Sequence, residues 1–241
     1  MNPLRSFYSS IRDRPNRNSS REYLGEFAQR AADSVPAGSL VLDAGSSPEA
    51  PYYSCFRAHR YESADMRGES GNVTYKCDLT SIPVDNDRYD MALCTQVLEH
   101  VPYPDQVIRE LHRVPKPGCR LWLSTPLFYE EHMQPNDFFR YTRFGLTRLF
   151  TEAGFNVEEL VELEGDYGTL AYEMDVAKRS LPLGPTHYGG GILGVVAAVF
   201  AMVLVPLSHL LSEFYAALDR RVKYTRTGHC KNYCIVATKR V

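Results

Sequence analysis

The stretch Ser39–Gly45 reads SLVLDAG, an apolar run closed by an acid and a glycine. That order describes a buried strand stopping at a tight turn. Downstream, RYESAD (60–65), VTYKCD (73–78) and YDMALCT (89–95) repeat the form, each a short strand with a polar residue at its carboxyl end, and RLWLSTP (120–126) reads as the next strand. Helical patterns alternate with them. In PDQVIRELHRV (104–114), Pro104 lies near the start, Val107, Ile108, Leu111 and Val114 share a face, and Gly118 supplies the stop. In YTRFGLTRLFTEAGF (141–155), Thr142 is placed as the N-cap, Phe144, Leu146 and Leu149 are expected to face inward, and Gly154 ends the helix. Upstream, Ser19 and Glu22 have capping-box spacing, and Tyr23, Leu24, Phe27, Ala28 and Ala31 fall on one face before Pro36 and Gly38. VEELVELEG (157–165) and NYCIVATKR (232–240) complete the strands. Alternating βα units predict a doubly wound parallel sheet with its ligand site outside the carboxyl edge.

The 241 residues suit one large α/β domain with an insertion. With 27 basic and 29 acidic residues the net charge is -2, which disfavours a nucleic-acid partner. The first 18 residues are polar and read as a mobile arm. Arg5, Arg12, Arg14 and Arg17 are scattered through them rather than preceding an apolar leader, so a cytoplasmic location is expected. Cys55, Cys77, Cys94, Cys119, Cys230 and Cys234 are dispersed as reduced core thiols would be. His229, Cys230 and Cys234 cluster in sequence, but they fall short of a convergent set of about four ligands, so no metal is expected.

The turn DAGSSPEAPYY (43–53) puts Asp43 and Gly45 where a nucleotide-like ligand meets backbone. Ser47 and Pro48 stand where a dinucleotide fingerprint needs glycine, which disfavours NAD. Asp65, about 20 residues on, is placed to accept from ribose hydroxyls. Asp78 can accept from an adenine amine. Three spaced carboxylates suit a ribose, an adenine and a cationic sulfonium.

The series VLDAGSSP, YESADM, YKCDL, YDMALCTQVLEHV, RVPKPG and RLWLSTP resembles the class I S-adenosylmethionine (SAM)-dependent methyltransferases, over roughly residues 40–155 with a matching last strand near Tyr233. HMQPNDFFRYTRFGLTRLFTEAGF resembles a bacterial branch of that family whose members often carry an apolar insertion before the final strand. The resemblance implies a Rossmann-like sheet, mostly parallel with an antiparallel last strand, and SAM as cofactor. It gives the methionine moiety to Asp43, Gly45, Ser46 and Ser47, the ribose to Asp65 and Met66, and the adenine to Asp78 and Leu79. Cys94, Thr95 and Gln96 would line the floor beside the sulfonium. Ser47 departs from the family, which usually has a second glycine there. Glu99 and His100 are family-typical and are expected to start a helix and contact the loop.

Methyl transfer from a sulfonium chiefly requires alignment of the acceptor and exclusion of water. For a hydroxyl acceptor, His132 and Asp137 are the candidate general bases. Arg140, Tyr141 and His100 are candidates for orienting the acceptor. In the alternative reading, Asp137 and Arg140 pair to fix the loop while Thr142 caps the helix.

The insertion holds GGGILGVVAAVFAMVLVPL (189–207), which has no charged residue and approaches the length of a bilayer span. Lys178 and Arg179 precede it, and Arg220, Arg221 and Lys223 follow, so both ends are expected on one side of a membrane. Pro206 is expected to break the helix, with LSHLLSEFYAALDR forming a second, amphipathic one. The resulting hairpin, 189–218, would lie on the membrane surface or pack in a homodimer. The expected organisation is a basic arm (1–18), a SAM-binding core (19–166), an apolar insertion (167–226) and a final core strand (227–241). The expected function is SAM-dependent O-methylation of a small, glycan or lipid-linked acceptor at the inner membrane face. The alternative is a catalytically silent SAM-fold protein acting as a membrane or assembly module.

Overall fold

The computed structural model describes residues 3–14, 19–67, 73–226 and 228–240. The chain divides into two compact units, one of residues 21–163 and 231–241, the other of residues 1–20 and 164–230.

The first unit is a seven-stranded sheet. Its strands are β1 (Leu40–Ala44), β2 (Arg60–Asp65), β3 (Tyr75–Lys76), β4 (Tyr89–Thr95), β5 (Pro115–Pro126), β6 (Phe155–Glu162) and β7 (Asn232–Lys239), in the order β3-β2-β1-β4-β5-β7-β6. β1 through β5 run parallel, while β7 is antiparallel to both β5 and β6. SLVLDAG is thus an interior strand between β2 and β4, buried at every residue from Leu40 to Ala44. The order reverses beside β1, since β2 lies on one flank and β4 on the other, and a crevice opens at such a switch point. This is the Rossmann-like doubly wound sheet with an antiparallel last strand.

Helix α2 (Ser19–Asp33) packs on the sheet through Leu24, Phe27, Ala28, Ala31 and Ala32, in one cluster with Val41, Met91, Leu93, Trp122 and Val236. The Phe27 and Trp122 ring centroids are 5.1 Å apart. Burial of side chains as large as Leu24 and Phe27 stabilises by about 1.5–3 kcal/mol each. Helix α3 (Pro104–Arg113) buries Val107, Ile108 and Leu111, as its periodicity predicts. Helix α4 (Arg143–Glu152) is capped as expected, the Gly145 N–H donating to Thr142 Oγ1 at 3.2 Å. Its inward face differs: Leu146 and Phe150 are buried, while Phe144 is 79% exposed. Position 144 falls in the first turn, off the 146/150 stripe, so its size does not bring it inside.

The second unit is helical. The segment expected to be a mobile arm instead carries α1 (Pro3–Arg12), which packs on α6 (Gly191–Arg221), itself paired with α5 (Asp166–Ser180). The expected break at Pro206 does not occur, because α6 is one helix of 31 residues. The helical pair is therefore α5 with α6, not two halves of 189–218. Loss of the proline N–H weakens the helix locally, but buried residues hold it on both sides, from Gly194, Ala198, Ala201 and Val205 to Ser208, Ser212, Ala216 and Asp219. Two of these make hydrogen bonds: the Ser212 hydroxyl donates to the Ala171 carbonyl at 2.7 Å, and Asp219 Oδ1 accepts from the Gly165 N–H at 3.0 Å. At Gly194 any Cβ would fall 2.5 Å from the Pro185 carbonyl oxygen, so the helix start can pack there only without a side chain.

Candidate active site

The carboxyl ends of β1, β2 and β4 bring together most of the residues expected to hold the cofactor. At the end of β1, Asp43 is 1% exposed. Its Oδ2 accepts from the Tyr61 hydroxyl at 2.6 Å, while its Oδ1 has no partner among the described residues. Burial pushes its carboxyl up to about 7. A buried carboxylate oxygen without a donor is costly in an apoprotein and is suited to a cationic or N–H-bearing ligand.

Gly45 follows, with φ 81° and its N–H donating to the Ala64 carbonyl at 2.7 Å. A Cβ there would meet Val97 Cγ2 at 2.3 Å, so the turn closes only on glycine. Ser47 also has positive φ, 54°. This accounts for the family's glycine at that place, since serine holds a left-handed backbone that glycine enters without strain. Asp65, at the end of β2, accepts from the Ser47 N–H at 2.9 Å through Oδ2 and from the Arg67 N–H at 2.6 Å through Oδ1. The carboxylate therefore ties the two loops together. Met66 beside it is exposed.

Asp78 lies past the short β3, exposed, with its Oδ1 accepting from the Thr80 N–H and hydroxyl at 2.8 and 2.9 Å. Leu79 is buried next to it. At the end of β4, Cys94 and Thr95 are buried, and burial pushes the Cys94 thiol up. Gln96 again has positive φ, 55°, with its N–H donating to the Ser124 carbonyl and its amide to Ser124 Oγ. Gly45, Ser47 and Gln96 thus bring left-handed backbone to the rim between β1 and β4; the sequence marks Gly45 by its residue type and position 47 only through the family's glycine.

A second group forms where the turn after β4 meets the loop after β5. Arg140 donates from both terminal nitrogens to Asp137 at 2.7 and 2.8 Å, and also to the carbonyls of Tyr129, Glu130 and Phe139. Asp137 additionally accepts from the His132 N–H. The Arg140 hydrogen bonds, more than anything else, hold the Asp137 carboxyl well below the usual carboxylate range. The Tyr141 hydroxyl is turned inward and donates to the Leu98 carbonyl at 3.1 Å, with burial raising its pKa. The Asp137–Arg140 pair and the Thr142 cap are thus those of the loop-fixing alternative, and the Tyr141 hydroxyl is bonded inward as well.

The histidines are arranged differently. His100 Nδ1 is 2.7 Å from the Asn136 carbonyl, and the His100 and His132 rings meet edge to face with centroids 4.6 Å apart. Glu99, in a single 3-10 turn (Leu98–His100), is fully buried, and burial pushes its carboxyl up to about 7. Its Oε2 accepts from the Thr125 hydroxyl at 3.3 Å; Oε1 has no hydrogen-bond partner among the described residues and lies 3.8 Å from His100 Nε2. The ligand atoms of Glu99, His100 and His132 lie within 4.8 Å of one another. Sequence reasoning weighed a metal cluster only at His229, Cys230 and Cys234, where three potential ligands are close in the chain, and expected no metal there. It missed this one because His132 comes from a different loop, 32 positions beyond His100.

An interior strand ending in a buried acid, a glycine turn against the next loop and a second acid one strand over are the arrangement of a class I SAM-dependent methyltransferase. A family profile described as a methyltransferase domain matches residues 16–160, and the chain belongs to that family. Two curated relatives are both named ubiquinone biosynthesis O-methyltransferase. The one from Coxiella burnetii is 38% identical over 55 residues, 22% of this chain and 24% of the relative. That from Pseudomonas paraeruginosa is 50% identical over 84 residues, 35% of this chain and 33% of the relative. The chain thus spans a third or less of the length of these curated relatives. Among solved structures, the phosphoethanolamine N-methyltransferase 2 of Haemonchus contortus in complex with SAM superposes with a TM-score of 0.54 at 13% identity, covering 94% of this chain and 53% of that one. At that identity the likeness establishes the fold.

Proposed function

We propose that this methyltransferase acts on a hydroxyl group of a small acceptor, glycan-like or lipid-linked, at the cytoplasmic face of a membrane. The observation that carries the cofactor part is the buried Asp43 carboxyl oxygen without a hydrogen-bond partner among the described residues, two positions before the Gly45 turn. Gly45, Ser46 and Ser47 would hold the methionine moiety, with Asp43 offering its carboxylate to the amino group or sulfonium. Asp65 and Met66 would hold the ribose, exchanging one loop N–H for the hydroxyls. Asp78 and Leu79 would flank the adenine, while Cys94, Thr95 and Gln96 form the floor. SAM supplies an activated methyl group, so the protein's work is to bind, orient and exclude water.

Oxygen as the acceptor atom is supported by the short matches to O-methyltransferases and by the polar group at Glu99, His100 and His132, where a hydroxyl proton can be handled. Asp137 is a positioning residue in this reading, since its oxygens serve Arg140 and His132. A membrane-bound acceptor is supported by α6, which is long and apolar enough to cross a membrane and exposes Ile192, Leu193, Phe200 and Val203.

Calorimetric titration with SAM and with S-adenosylhomocysteine, on the whole protein and on Asp65→Ala, tests the reading. Saturable binding of both ligands, weakened at least tenfold in the variant, is expected. A folded protein that binds neither would overturn it and leave the silent membrane module as the better account.

A further inference from the structure

The cluster at Glu99, His100 and His132 has the features of a metal site beyond its composition. His100 Nδ1 lies against the Asn136 carbonyl, and His132 Nδ1 lies 3.1 Å from the Glu130 carbonyl and 3.3 Å from Asp137 Oδ2. These partners only accept hydrogen bonds, so each Nδ1 carries the proton and each neutral ring keeps its lone pair on Nε2. Ring nitrogens pinned by carbonyls or carboxylates are the usual support behind metal-bound histidines, fixing tautomer and orientation before the ion arrives. The third donor, Glu99 Oε1, is the independent observation. It is a fully buried carboxylate oxygen with no hydrogen-bond partner among the described residues, aimed at His100 Nε2. Arg140, whose charge is felt at Glu99, makes its two carboxylate bonds to Asp137 instead.

We propose that Glu99, His100 and His132 bind one first-row divalent transition-metal ion, through two imidazole nitrogens and one carboxylate oxygen. This donor set suits zinc, iron, cobalt or manganese better than magnesium, which takes oxygen ligands. Gathering the three donors to about 2.0–2.2 Å from one ion needs a movement on the order of 1 Å. The loop that carries His132 together with its Glu130 and Asp137 partners makes it, so the pinned ring moves as a unit. Three protein ligands leave a position open. The ion's role rests on the O-methylation reading: it would take the acceptor's hydroxyl oxygen and lower its pKa, the proton passing to solvent water. The oxygen then forms the bond to the methyl carbon as the sulfur–carbon bond breaks, and the electron pair stays on sulfur as a neutral thioether.

The test uses tag-free, chelator-stripped whole protein titrated with Co²⁺ alone, followed by calorimetry and visible d–d absorption. Binding that saturates at one equivalent is expected, weakened at least tenfold in both His132→Ala and Glu99→Gln and unchanged in His112→Ala, which alters a histidine packed on Phe155 away from the cluster. His132 is partly exposed on a loop, so its variant keeps the fold even if Glu99→Gln does not. No saturable binding by folded protein, or binding that survives in His132→Ala, overturns the proposal. SAM titrated into the same samples separates the two readings, because SAM binding without Co²⁺ binding sinks the metal site and leaves the methyltransferase reading standing.

Discussion

In the sheet unit the core is built from large apolar side chains: Phe27, Phe56, Phe150 and Phe155 are buried, although Phe144 stays outside. Along α6 of the helical unit the order is reversed. Gly194, Ala198, Ala201, Ser208, Ser212 and Ala216 are buried, while Ile192, Leu193, Val199, Phe200, Val203 and Leu210 are exposed. The same residue types are sorted by opposite rules. A sheet in water gains by removing large apolar surface from solvent. A helix with small residues on its packed face and large ones outside gains little that way, and its pattern matches helices that pack closely in an apolar medium. Large exposed apolar patches on soluble proteins mark interaction surfaces.

Phe27→Ala should show the largest effect, a loss of about 3–5 kcal/mol read from the urea midpoint, since it opens a cavity against Trp122. A much smaller loss would mean that the sheet core can collapse around the site, and the contrast with α6 would weaken.

Asp43 is the exception inside the sheet unit, a carboxyl kept where apolar packing would serve stability better. Its pKa of about 7 in the fold exceeds that of the unfolded chain. Below about pH 4 both states hold the proton. As pH rises from about 4 to 7 the unfolded chain releases it first, so the fold loses stability over that window and the loss levels off above it. Asp43→Asn should abolish this decline and stabilise the ligand-free protein by a few kcal/mol at pH 8, while weakening SAM binding. Equal pH profiles for the two proteins would mean that the orphan oxygen already has a partner.

How far the sequence showed this molecule depends on which rule sorts the residues. The sheet was legible because SLVLDAG and its successors are short runs ending in acids and glycine, and the faces of α2 and α3 follow the helical period. The candidate rim was legible at Asp43, Gly45 and Asp65, where residue type marks the strand ends and the turn that the structure brings together. It was less so at Ser47 and Gln96, whose left-handed backbones carry no glycine to mark them. Phe144 misled because size is not position, and Pro206 misled because a local helix-breaking tendency yields to packing on both of its sides. The Glu99, His100 and His132 group could not be read, since two loops must first be brought together by β4 and β5.

Ala201→Leu probes the small-residue face directly. With Ala201 1% exposed, a larger side chain must push α6 from its seat, and a loss of about 1–3 kcal/mol is expected in the thermal unfolding of the helical unit. The same change in the outer row, such as Val199→Leu, should cost nothing measurable.

The smallest effect on folding is the most informative about α6. Phe200 is 63% exposed, so Phe200→Ser, alone or with Val203→Ser and Leu207→Ser, should shift the urea midpoint by no more than about 0.5 kcal/mol per site. If the outer face meets lipid, the triple variant should lose co-sedimentation with phosphatidylglycerol vesicles while its calorimetric SAM binding stays unchanged. If that face is covered by a second copy, the variant should instead dissociate in sedimentation equilibrium, with the parent protein dimeric and indifferent to vesicles. A midpoint that falls as far as in Phe27→Ala would show that large side chains on α6 stabilise the folded chain itself, and the opposition between the two units would be gone.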